Sequence, residues 1–466
     1  MSDDRPGSPE AERSARPPST AAADRPVTFR DVFAVSEYRA VYFALLVSWI
    51  GDYLARAAVT VLVYQQTQSV LLSAATFAVT YLPWLVGGPV LSALAERYPY
   101  RRVMVVCDLT RMALISILFI PEMPTAGLVA VLFLVTLGGI PAQAARSATL
   151  PLILSRAQLP VAMAANATTT QAAQVIGYLT GATLTATVHP QLAITLNALA
   201  FGLSALLIWV WVRHRPAAFG VAQRTHLLRE AGAGFRLVFG SRVLRSIALL
   251  VFAMAAFAIV PEGLAAAWAA QDNPDSVRRG IDQGLIMAAG PVGFVIGGLV
   301  VGRLAGPEMR HRLIRPFAVF APLILVPALA APPVPLVALL TMLSGVATGG
   351  LTPTLNTQFV LALPHGYRAR AFGVMQQGLQ VAQGGAVLLT GVLANRSSVP
   401  LVVGLWSVAG VILMLVLALR WPSSRVVNEE IAKAERALPG PEPAERGRNE
   451  RHSRTRVGGL AGRIDG

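Results

Sequence analysis

The chain is 466 residues long, 54% hydrophobic and only 14% charged, with a mean hydropathy of +0.57 and a formal net charge of +15. Soluble domains of this size carry about a quarter charged residues, so the composition excludes an ordinary water-soluble protein. The arginines lie in short loops between apolar runs and in the tails, a placement that suits anionic lipid headgroups and argues against a nucleic-acid partner. Cys107 is the only cysteine, which excludes an internal disulfide and a cysteine-based metal site. Lys433 is the only lysine, so no Walker A loop, which needs a lysine after its glycines, is present.

Residues 1–35 form an N-terminal tail rich in Pro, Ser, Ala and charge, without an apolar core of signal-peptide length. It is expected to be disordered. Apolar runs long enough to cross about 30 Å of hydrocarbon follow at 39–64, 69–92, 102–121, 126–150, 161–188 and 190–212, making a first half over 36–212. A basic linker, 213–245, precedes further runs at 246–270, 283–304, 314–331, 334–361, 372–394 and 399–420, a second half over 246–420. Residues 421–466 form a second tail, with one short helical segment from Asn428 to Ala437. The fold class expected is all-α and integral to the membrane, with twelve transmembrane helices in two six-helix halves.

Turns after the even-numbered spans carry Arg97, Arg101 and Arg102, then Arg156, Arg310, Arg312, Arg315, Arg368 and Arg370, whereas most opposite turns carry none. The positive-inside rule then places both tails and the linker in the cytoplasm. Within the linker, Leu227, Leu228, Phe235, Leu237, Val238 and Phe239 alternate loosely with Arg229, Arg236 and Arg242, a pattern for a short amphipathic segment along the membrane surface. A shift of 210 residues sets Leu85-Val86-Gly87-Gly88 on Val295-Ile296-Gly297-Gly298, Arg102 on Arg312, and Leu179-Thr180-Gly181 on Leu389-Thr390-Gly391. One ungapped offset at separated sites argues for duplication of a six-helix unit.

The turn after span two, with Ser92, Leu94, Glu96, Arg97, Arg101 and Arg102, resembles the loop between the second and third helices of major facilitator superfamily transporters. Glu96 stands where the family usually has Asp, and Ser92 where it usually has Gly. The resemblance implies a latch joining the two halves on the cytoplasmic side; the plainer alternative is that its arginines only anchor topology. Ile50-Gly51-Asp52-Tyr53-Leu54, Cys107-Asp108-Leu109 with Arg111, and Pro141 through Leu154 followed by Ala164-Ala165-Asn166 resemble the branch of that superfamily that includes the enterobactin exporter and macrolide-efflux proteins. The glycine-proline motif of many drug antiporters keeps Gly177 and Gly181 but has Tyr178 where Pro is usual.

Charges inside apolar spans are expensive, so each needs a reason. Asp52 in span one and Glu262 in span seven differ by the same 210 residues and fall at equivalent positions of the repeat. In the superfamily both helices line the central cavity, so Asp52 and Glu262 are the candidates for proton coupling or cation binding. Alternatively Asp52 is satisfied by Arg56 one turn later, and Glu262 sits solvated at an external mouth. Asp108 and Arg111, three apart, can form a structural ion pair on one helical face, and Arg146 is placed to meet an anionic substrate, to meet Asp52, or to snorkel to the interface.

Polar stripes on spans five and eleven, Asn166, Thr170, Gln171 and Gln174 against Gln376, Gln377, Gln380 and Gln383, either bind helices together or line a substrate path. The substrate-path candidates are therefore Trp49, Arg56, Arg146, Asn166, Gln171, Gln376 and Gln380. No metal constellation and no nucleophile triad emerges, and the expectation is a transporter rather than an enzyme. The leading function is proton-coupled export of a small organic compound, such as a drug, siderophore or secondary metabolite, by alternating access. An importer or uniporter on the same scaffold is the alternative, and a membrane-embedded sensor a more distant one. No cofactor is expected beyond the proton gradient as energy source. The partners expected are the substrate, protons and membrane lipid, for a monomer in the bacterial plasma membrane.

Overall fold

A computed structural model describes residues 27–432 apart from 86, 88–90, 92–96, 121, 156, 188–189, 216–226, 273–274, 364–367, 424, 427–428 and 431. Among the described residues there is no strand. A short helix α1 (Phe29–Phe33) leads into α2 (Ser36–Thr67), α3 (Val70–Val79), α4 (Tyr100–Ser116), α5 (Thr125–Ile153), α6 (Leu159–Thr187) and α7 (Pro190–Trp211). After the linker helix α8 (Leu227–Gly240) come α9 (Arg242–Ala258), α10 (Val260–Asp272), α11 (Ser276–Leu304), α12 (Pro307–Leu323), α13 (Val334–Leu361), α14 (Arg368–Ala394) and α15 (Val399–Leu419).

Boundaries follow from side-chain chemistry. Gln68, at φ 50°, ends α2, and the Ser69 hydroxyl accepts from the Leu72 amide at 3.2 Å to begin α3. Ser241 caps α9 through the Leu244 amide at 3.4 Å, and Asp275 caps α11 through the Val277 amide at 3.2 Å. Each satisfies one of the orphan amides of a first turn. Between α9 and α10 the helix is interrupted next to Pro261, which has no amide to donate.

Eight helices among the described residues are long and apolar enough to cross a membrane: 36–67, 125–153, 191–211, 242–271, 276–304, 308–330, 334–361 and 399–419. The other segments expected to span, at α3, α4, α6 and α14, are helical too. They are shorter within the described residues or carry more polar side chains, as α4 does with Asp108 and Arg111 and α14 does with its glutamines.

Packing divides the molecule. One apolar core is built from α2, α4, α5 and α7 with the turn after α4, around Val59, Ile115, Leu132 and Phe201, with Val79 of α3 packed against it. A second lies within the helices after 237, around Leu244, Phe257, Leu355 and Met414. A third joins the two sets, packing Phe77, Tyr81, Tyr178 and Ala182 against Leu264, Trp268, Ile286 and Val387. The joining contacts continue to one end of the bundle. There Ala186 and Ala182 meet Gly280, Ala74 meets Gly391, and the Ser69 hydroxyl donates to Asn395 Oδ1 at 3.4 Å.

Two helix pairs come within backbone contact through glycine. A Cβ at Gly293 would lie 1.9 Å from the Met342 carbonyl oxygen, at Gly297 2.0 Å from that of Val346, and at Gly349 2.0 Å from that of Phe294, so α11 and α13 interlock. On α6, Gly177 and Gly181 press against the Ile50 and Leu54 carbonyls of α2 at 2.8 and 2.5 Å on the same measure. Close backbone approach of this kind, rather than hydrophobicity, is what holds helices together in lipid.

Candidate functional site

Next to the joining core, two adjoining cavities are lined by residues of both sets of helices. One, of about 420 Å³, is lined from the first set by Trp49, Asp52, Tyr53, Arg56, Tyr81, Trp84, Arg111, Gln143 and Arg146. The other, of about 440 Å³, is lined by Glu262, Phe294, Thr341, Ser344, Asn356, Phe359, Phe372 and Met375 from the second. Gln174, Ile259, Gln376 and Gln383 line both, which makes them two lobes of one central space. Both volumes are those of small-molecule sites; the second lobe is mainly apolar with a few polar groups, whereas the first is lined largely by charged and polar side chains.

Asp52 projects from α2 and pairs with Arg111 of α4, not with Arg56, the partner considered from sequence. Arg111 is nearly fully buried. It also lies 3.5 Å from Asp108, donates to the Val135 carbonyl at 3.0 Å and to the Ser48 hydroxyl at 3.2 Å, and stacks 4.1 Å from the Phe201 ring centre. Asp108, completely buried, takes further bonds from Arg146 at 3.1 Å and from the Ser204 hydroxyl at 2.6 Å. Arg146 thus meets Asp108 rather than Asp52. The result is a chain of two carboxylates and two guanidiniums whose charges cancel, so each charge keeps a partner in a medium where an unpaired one is very costly.

Arg56, four residues after Asp52, is free of that network. Its guanidinium carbon lies 5.4 Å from the Tyr53 ring centre, 5.5 Å from Phe77 and 5.4 Å from Tyr81, a cage of aromatic faces that favours a cation. Its Nε has no hydrogen-bond partner, and no carboxylate lies within ion-pair distance among the described residues.

Glu262 is only 6% exposed, and one oxygen accepts from Gln174 Nε2 at 3.3 Å across the two sets of helices. A Cβ on Gly290 would stand 3.0 Å from its other oxygen. Glu262 is therefore buried at the wall of the cavity and not at an external mouth. The hydroxyl of Tyr178, fully buried, lies within reach of both Arg56 and Glu262 and links them across the two sets of helices.

Of the other path candidates, Trp49, Arg146 and Gln380 line the first lobe, Gln171 the second and Gln376 both. Asn166 lines neither; it faces the Tyr38 hydroxyl at 3.3 Å, near the start of α2. Ser92, Leu94 and Glu96 of the latch loop lie outside the described residues. Arg97 and Arg102 are exposed, and Arg101 donates to the Trp209 carbonyl at the end of α7. Gln174 and Tyr178 emerge as central although the sequence marked one only as part of a stripe and the other as a departure from a motif. Ser204 and Phe201, which complete the charge chain, are invisible in sequence because about a hundred residues separate them from their partners. Among the described residues no cluster of metal-ligating side chains occurs.

No match was found among curated protein sequences. The fold is that of solved transporters at low identity. A nucleoside transporter, NupG, superposes with a TM-score of 0.63 at 12% identity over 83% of this chain and 99% of its own. A POT family transporter in complex with 5-aminolevulinic acid gives 0.64 at 11% over 86% and 99%. A bacterial homologue of the iron transporter ferroportin, in an inward-facing state, gives 0.59 at 14% over 85% and 99%. Residues 31–452 match the family described as transmembrane secretion effector. The chain belongs to that family, and it is a multi-pass membrane transporter of the major facilitator type.

Proposed function

We propose that the protein exports a small organic compound in exchange for protons, with Glu262 as the group that gains and loses the proton. The observation that carries this is the position of Glu262: buried in the wall of the second lobe, bonded to Gln174 of the opposite set of helices where the lobes meet, within reach of the Tyr178 hydroxyl, and outside any ion pair among the described residues. A carboxylate so placed can be neutralised at little structural cost, whereas Asp52 is committed to Arg111. Asp52 then serves to hold the charge chain together.

Twelve spans, with both termini and the arginine-rich turns in the cytoplasm, make the joined end external and the cavity open toward the inside. In this state Glu262 releases its proton as the substrate enters. After the halves rock to expose the cavity outside, the substrate leaves and Glu262 is protonated from the outer solution. The description of the family as a secretion effector favours export over import.

The test is proton release by the purified protein in weakly buffered detergent solution as candidate compounds are titrated in. Wild type and Asp52→Asn are expected to release protons on binding, and Glu262→Gln to bind without release. Proton release that persists in Glu262→Gln, or disappears in Asp52→Asn alone, would assign coupling elsewhere. Uptake driven outward-to-inward with the proton gradient in proteoliposomes would mark an importer.

A further inference from the structure

We infer that the compounds this cavity selects are amphipathic zwitterions, their anionic group directed to Arg56 and their cationic group to Glu262. The inference rests on the cavity assigned above as the transport site, and adds to it the chemical class of the ligand.

Charge accounting of the lining leads there. Arg111 and Arg146 are spent on Asp52 and Asp108, and these four groups sum to zero. What remains facing the two lobes is one cation and one carboxylate, Arg56 and Glu262, each without an ion pair among the described residues. They are carried by different sets of helices. The pair is close enough to interact through space, yet not within ion-pair distance. A monovalent cation would satisfy Glu262 and leave Arg56 facing a second positive charge. A monovalent anion would do the reverse. A molecule carrying both charges satisfies the two at once.

The surroundings supply the rest of the specificity. The first lobe, which Arg56 faces, is lined by Trp49, Tyr53, Tyr81 and Trp84, and the second offers Phe294, Phe359, Phe372 and Met375, so both lobes present aromatic or apolar surface to a body between the charges. The Ser344 hydroxyl and Gln143 Oε1, buried without partners, add one unspent polar group to each lobe. Because the two charges recognised belong to opposite sets of helices, a bound zwitterion bridges them, and either charge alone does not.

Equilibrium binding to the full-length protein in detergent, with no gradient, tests this independently of proton coupling. The probes are norfloxacin and ampicillin, each a carboxylate and an amine on an apolar body, with the methyl ester and the N-acetyl derivative of each. Wild type is expected to bind at least one parent compound roughly tenfold or more tightly than both of its derivatives, the cost of one unmatched buried charge. Arg56→Gln is expected to erase the preference over the ester but keep that over the N-acetyl form, and Glu262→Gln to do the opposite. Thermal unfolding of each variant establishes that it is folded. Parent compounds binding no better than either derivative, selectivity that survives both substitutions, or no zwitterion-specific binding by either set would overturn the assignment. If zwitterion selectivity is present while proton release is absent, the ligand class stands and the coupling mechanism falls.

Discussion

Arg111 neutralises Asp52 and Asp108 together, and the two carboxylates are not equivalent in what they would leave behind. Asp108 is fully buried and holds Arg111, Arg146 and Ser204, whereas the Asp52 side chain is 28% exposed and holds Arg111 alone. Asp108→Asn would strand Arg146 without a counter-charge inside the bundle, a loss of about 3–5 kcal/mol for a broken buried pair. Asp52→Asn leaves Arg111 still facing Asp108, Ser48 and the Val135 carbonyl, and should cost about 1–3 kcal/mol. Thermal unfolding of the two variants in detergent should therefore rank Asp108→Asn clearly below Asp52→Asn. Equal losses would mean that Asp108 is not the hub of the chain, and a larger loss in Asp52→Asn would move that role to Asp52. Sequence showed both acids and both arginines of this network, because charges stand out in apolar runs. It did not show their pairing, since an i,i+4 neighbour such as Arg56 is visible in one dimension while Arg111, 59 residues away, is not.

Among helices, the interlocking of α11 and α13 sets a sharper limit than the apolar pattern does. A methyl group at Gly297 would lie 2.0 Å from a backbone oxygen that has no flexible end to yield, so Gly297→Ala must push the two helices apart. Overpacking of this kind costs about 1–3 kcal/mol. At Gly385, on an exposed face of α14, a Cβ meets nothing within 4 Å, and Gly385→Ala should gain about 0.5–1 kcal/mol from helix propensity. Opposite shifts of the unfolding temperature in these two variants, measured side by side, are the expected result. A Gly297→Ala variant that unfolds no lower than the parent would show that α11 and α13 are not in backbone contact. The helices themselves were legible from hydropathy, and Gly177 and Gly181 from their spacing. Which glycines are contact points and which merely face lipid was not, because both kinds sit in equally apolar surroundings and only the neighbouring backbone distinguishes them. The same limit applied to the polar stripe of α6: Gln171 and Gln174 reach the cavity, while Asn166, on the same helix, turns toward Tyr38.

For the molecule as a whole, alternating access requires that the end now sealed should open, and the seal has a thin outermost rim. Ser69, at the start of α3, and Asn395, just after α14, touch across the two sets of helices at 3.4 Å, outside the apolar core built on Tyr178 and Trp268. Cysteines at these two positions, in a chain whose only native thiol has been removed by Cys107→Ser, can be joined by a short bifunctional thiol reagent. Linkage should leave binding intact, because Ser69 and Asn395 line neither lobe of the cavity. It should abolish movement of the compound across a proteoliposome membrane, and cleavage of the linker should restore it. The comparison with the reduced protein separates a blocked conformational step from damage to the site, since only transport and not affinity should change. Transport that continues in the fully linked protein would show that the substrate does not leave between α3 and α14, and the rocking of one set of helices against the other would have to give way to a smaller movement around Glu262.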